Sequence, residues 1–139
     1  MDNVKVKITT VQTIDEAGNE DIIELVTEAT LEYIDNCFII NYDESDITEC
    51  KGSRTRLKIY KNKMIMTKVG TYSSRMEFEE KKSSSNLYTT PYGTFDLDFT
   101  TVIYDNSLDE FGKGEVYVEY KIVFGNAGEN YNQIEINIF

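Results

Sequence analysis

The stretch EDIIELVTEATLEYI, residues 20–34, decides the fold, because it fits two periods at once. Ile22, Ile23, Val26, Ala29, Thr30 and Tyr33 fall at helical spacing. Ile23, Leu25, Thr27, Ala29, Leu31 and Tyr33 also alternate against Glu24, Glu28 and Glu32, as in a strand with one wet face. The β-branched content and the turn-forming Glu16-Ala17-Gly18-Asn19 just before it favour a long strand.

Working outward, the rest of the chain also repeats with period two. Val4, Val6 and Ile8 alternate with Lys5, Lys7 and Thr9. Phe95, Leu97, Phe99, Thr101 and Ile103 are expected to share one face, opposite Thr94, Asp96, Asp98 and Thr100. The same pattern returns at Val116, Val118, Tyr120, Ile122 and Phe124, and at Ile134, Ile136 and Ile138. Shorter alternating pieces cover residues 37–42, 54–60, 64–69 and 75–78. Asp35-Asn36, Lys61-Asn62, Gly112-Lys113-Gly114 and Asn126-Ala127-Gly128 suit tight connections. Two connections read as longer, Glu44–Ser53 and the serine-rich Lys81–Asn86. Serial strands with short turns predict an antiparallel meander of about eight to ten strands. A sheet that wide must curl, split or close, and closure removes its exposed edges. A small barrel is either filled by side chains or holds one small ligand.

The 139 residues are the length of one domain, expected to span 1–139. With 25 acidic and 14 basic residues the net charge is -11, which argues against nonspecific binding to nucleic acid or anionic membrane. No apolar run is long enough to span a bilayer, and MDNVKVKI lacks the hydrophobic segment of a signal peptide. Cys37 and Cys50 fit two reduced thiols in a cytoplasmic protein. The basic charge is concentrated: residues 51–82 hold ten Lys or Arg against three Glu, a net of +7 beside -18 elsewhere. Either these strands lie against acidic ones, or they present a positive surface to an anion.

The only proline lies in YTTPYGTFDLDF, residues 88–99. Pro91 presets the first turn position and Gly93 can take positive φ, so Pro91-Tyr92-Gly93 predicts a three-residue hairpin corner. Tyr88 and Tyr92 would then sit near a barrel mouth. The longer YTTPYGTFDLDFTT resembles the central signature of the YwiB-like family, small bacterial proteins of unknown function with a calycin-like β-barrel. KVG at 68–70, MEF at 76–78, GEVYVEYKIVF and NQIEINI extend the resemblance along almost the whole chain. It implies an all-β, single antiparallel meander barrel of calycin or lipocalin type, and no activity to carry over. The basic position of KVG is usually arginine in the family, and Lys68 is a weaker bidentate anion ligand.

The chemistry is sparse. There is no histidine, which removes His-dependent triads and the commonest zinc ligand, so neither metal nor cofactor is expected. Asp43-Glu44-Ser45-Asp46 lacks the rest of a calcium loop and reads as a solvated acidic turn. Asp96 and Asp98 read as an outward stripe rather than an acid–base pair, and Cys50 has no histidine to activate it. Several of the ten tyrosines lie on strands, where some could line a cavity. The expected function is therefore noncatalytic binding of a small molecule, with Lys68, Arg75, Tyr88, Tyr92 and Tyr120 as candidate ligand contacts and an anionic group on Lys68 or Arg75. The alternatives are a protein-interaction module with an acidic outer face and an enzyme working without histidine.

Overall fold

Residues 20–34 form one continuous strand. Of the three residues that only the helical reading would bury, Ile22 and Val26 are 62% and 57% exposed and Thr30 is half-buried, while Leu25, Ala29 and Leu31 are buried. Period two wins because both neighbouring strands complete its backbone hydrogen bonds. The computed structural model describes residues 2–13, 20–44, 52–123 and 129–139. The turns expected at 16–19 and 126–128, together with Cys50, Ser45, Asp46 and Phe124, lie outside the described residues.

Ten antiparallel strands are described: β1 (Asp2–Thr13), β2 (Glu20–Ile34), β3 (Cys37–Asp43), β4 (Ser53–Ile59), β5 (Lys63–Gly70), β6 (Ser74–Glu79), β7 (Ser83–Thr90), β8 (Gly93–Asn106), β9 (Gly114–Val123) and β10 (Glu129–Ile138). They form one sheet in the order β6-β5-β4-β3-β2-β1-β10-β9-β8-β7. Every neighbour is the next strand in sequence except β1 and β10, which bring the two ends of the chain together. The edges β6 and β7 meet at one end, and at the other the turn that joins them bonds to β8. Ser73 and Thr89 exchange backbone hydrogen bonds of 2.9 Å, and Thr101 bonds Lys81 and Lys82 at 2.8 and 3.0 Å. The sheet is thus a nearly closed barrel.

Local chemistry sets several of its corners. Asp35 and Asn36 have φ of 53° and 65°, the pair of left-handed residues that a two-residue type I′ hairpin needs. The Pro91 corner is shorter than predicted. Thr90 pairs directly with Gly93, so the loop is Pro91-Tyr92 alone and Gly93, at φ 139°, opens β8. A Cβ on Gly93 would meet nothing closer than the Phe95 ring at 3.9 Å. Gly93→Ala is therefore expected to cost only backbone strain, about 1–3 kcal/mol, readable as a lower urea midpoint at unchanged slope.

Two expectations fail for physical reasons. The serine run is not a long loop, because Ser83–Thr90 is β7. Its hydroxyls bond across to β8, Ser83 to Thr100 at 2.7 Å and Ser85 to Asp98 at 2.5 Å, which supports a strand of low intrinsic propensity. Nor does the β8 stripe stay on one face. A bulge between Thr101 and Ile103 reverses the alternation, so Ile103 turns outward and the half-buried Tyr104 turns inward. Phe95, near the open tip of the hairpin, is 49% exposed.

The inward residues fill the middle and lower barrel. Val6, Ile40, Leu57, Met64, Phe78, Val116, Val118 and Ile136 are fully buried. Below them, Tyr104 Oη and Asn106 Nδ2 both donate to the Tyr60 carbonyl, at 2.7 and 3.0 Å, tying β8 to the β4–β5 turn. The upper end is not filled.

Candidate functional site

The open space is a cavity of about 310 Å³ at the end of the barrel where β1, β3, β5, β7 and β9 finish and the other strands begin. Nine of the ten strands contribute an inward side chain to it. Its walls are apolar, with Leu25, Met66, Met76 and Leu97 among them. Tyr120 stands over an aromatic cluster. Its ring centroid is 5.0 Å from Phe78 and 6.2 Å from Phe99, and Phe78 and Phe99 are 5.5 Å apart. Burial raises the Tyr120 hydroxyl above its ordinary pKa, so the group is neutral at physiological pH. Tyr42, Tyr88 and Asn132 add polar atoms higher up. Ser53 pins one side of the rim: its Oγ accepts from the Tyr72 backbone N–H at 2.9 Å, and Tyr72 stacks on Tyr88 with centroids 6.4 Å apart.

The structure separates the predicted contacts. Lys68, Tyr88 and Tyr120 line the cavity. Arg75 does not. It pairs with Thr67 across β5–β6, whereas Lys68 pairs with Ser74, so strand alternation sends the two basic side chains to opposite faces. Arg75 is half exposed and lies 3.7 Å from Glu77. Tyr92, at the turn, is 88% exposed and stands clear of the cavity. The basic segment meets acids close by: Lys63 Nζ lies 3.2 Å from Glu77 and Lys82 Nζ lies 3.4 Å from Glu79.

One cavity residue belongs to the stretch that the sequence alone reads as a solvated turn. Glu44 follows β3 directly and continues its inward alternation, Ile40, Tyr42, Glu44. Its side chain is only 4% exposed. Oε1 accepts from Thr55 Oγ1 at 2.5 Å and lies 3.7 Å from Lys68 Nζ. Oε2 is buried without a hydrogen-bond partner. The period-two count extended one step past Tyr42 would have found it.

At the opposite end, a groove of about 570 Å³ is lined by Tyr33, Phe38 and Phe111, with three acids, Asp2, Glu32 and Glu110, against one base, Lys113. Tyr33 and Phe111 are 62% and 69% exposed.

A meander barrel with a packed base and one open, part-polar cavity defines a calycin-like protein. The family model described as a domain of unknown function, DUF1934, matches residues 6–136, and the chain belongs to that family. Among solved structures, the chain is similar to the crystal structure of the ywiB protein from Bacillus subtilis. The TM-score is 0.74 at 16% identity, covering 97% of this chain and 90% of that one. At that identity the likeness speaks for the fold. No curated protein matches the chain.

Proposed function

We propose that this is a cytoplasmic, noncatalytic binding barrel that takes a small, largely apolar molecule into the cavity at its open end. The observation that carries the reading is the contrast within one interior. Below Tyr120 the barrel is packed to nearly zero exposure. Above it, inward side chains of nine strands leave about 310 Å³ unfilled, within the usual range of small-molecule pockets, about 300–1,000 Å³. A sheet that could close over its own side chains leaves such a space at a cost in lost contacts, which an occupant recovers. The neutral Tyr120 hydroxyl there suits hydrogen bonding better than proton abstraction.

A second reading, a protein-interaction module, is favoured by the acid-rimmed aromatic groove at the other end, whose chemistry suits a basic partner. One experiment separates the two. Native mass spectrometry of gently purified protein is expected to show the chain carrying a small-molecule adduct, lost after organic extraction. The unmodified chain mass alone would overturn the binding reading. A protein complex without a small adduct would put the groove in its place.

A further inference from the structure

Resting on that binding reading, we propose that Glu44 anchors the ligand and that the ligand is electrically neutral: an apolar body with a hydroxyl or amide N–H head. The argument starts from Oε2. A carboxylate oxygen accepts hydrogen bonds and donates none. Oε1 of Glu44 is already engaged by Thr55 Oγ1 and faces Lys68 Nζ, but Oε2 is buried and unpartnered in a side chain that lines the cavity. An acceptor removed from water and left unpaired is costly, and a donor in the cavity removes that cost once the Glu44 side chain turns Oε2 toward it.

Charge then narrows the class. Among the described lining residues, Glu44 and Lys68 are the carboxylate and the ammonium, and they compensate each other at 3.7 Å. A ligand carboxylate would add a second negative charge beside Glu44. A ligand ammonium would satisfy Oε2 but would set a second cation near Lys68 and bury a net charge among Leu25, Met66, Met76 and Leu97. A neutral donor satisfies Oε2 and leaves the balance intact. The anion expected on Lys68 is thus disfavoured by the acid that folds in beside it.

The test uses three probes of equal chain length: 1-octanol, octanoate and octylammonium. Protein carrying carbon-13 methionine methyls reports where they go. Met66 and Met76 line the cavity, whereas Met64 is fully buried beneath it and serves as an internal control. Octanol is expected to shift Met66 and Met76 in a saturable way while Met64 stays in place. Octanoate and octylammonium should bind at least about tenfold more weakly, the worth of one unmade hydrogen bond or one uncompensated charge. Glu44→Gln removes one negative charge from the cavity and should reverse the preference, so that octanoate binds more tightly than octanol. That reversal reads the charge balance with Lys68, whereas the preference of the natural protein for octanol reads the anchor. Octanoate or octylammonium binding the natural protein as tightly as octanol overturns the neutral-head assignment while leaving the binding barrel standing. If none of the three moves Met66 or Met76, the binding barrel falls too. The comparison on the natural protein decides the matter even if Glu44→Gln does not fold.

Discussion

Phe78→Ala is expected to lower the unfolding free energy by about 3–5 kcal/mol, the usual cost of emptying a large aromatic site in a close-packed core. Phe78 is completely buried, and its ring touches the two other aromatics at the centre of the barrel, Phe99 and Tyr120, at 5.5 and 5.0 Å between centroids. Removing it takes away the buried area of the ring and both tilted aromatic contacts, each of which adds to area burial. The surrounding shell has little freedom to collapse, because its members belong to a continuous hydrogen-bonded sheet. Phe78 lies on β6, an edge strand with one laddered neighbour, so some relaxation is available there, which favours the lower part of the range. Urea unfolding followed by tyrosine fluorescence checks the value. A loss below about 1 kcal/mol would mean that the packed base inferred beneath Tyr120 is not packed. The variant has a second use: its new void would join the cavity from below and should let a longer apolar probe reach the Met64 methyl, which the natural protein shields.

What the sequence made legible follows from the period of two. Strand alternation is a local property, so β1, β9 and β10, each with a clean stripe, could be read from their own residues, whereas β2 fits two periods and needed its β-branched content and the preceding turn. So could the type I′ turn, since Asp35-Asn36 is a two-residue tolerance for positive φ. The failures are non-local. The bulge after Thr101 shows only against β9, and it alone decides that Ile103 faces outward. The serine strand β7 owes its form to hydroxyl contacts with β8 rather than to its own propensity. The candidate site was half legible for the same reason. Counting parity along β5 and β6 puts Lys68 and Arg75 on opposite faces only after their register is known, and a net charge of +7 over 32 residues says nothing about register. Glu44 was hidden by its neighbours in sequence: three of four residues in Asp43-Glu44-Ser45-Asp46 suit a wet turn. The closing bonds to the Tyr60 carbonyl link residues 44 and 46 positions apart, beyond any local pattern.

The glycine of the KVG motif is where sequence signature and geometry coincide, and Gly70→Ala should rank with Phe78→Ala in effect. Gly70 has φ of 132°, a conformation that side chains rarely adopt. Gly93, at 139°, shares that strain. The two differ in space. A Cβ on Gly70 would stand 2.4 Å from the Gly52 carbonyl oxygen and 2.9 Å from Ser53 Cα, backbone atoms of the paired strand start that cannot swing aside. Relief requires β4 and β5 to part at the cavity rim. That movement would pull Ser53 from Tyr72 and loosen the Thr55–Lys68 pairing beneath Glu44. Strain and overlap together should cost about 3 kcal/mol or more, against the smaller loss at Gly93 where strain acts alone. Measured side by side in urea, the difference between Gly70→Ala and Gly93→Ala isolates the overlap. Equal losses would show that the rim yields freely, and a rim that yields could not hold Glu44 in the buried position on which its role as anchor depends.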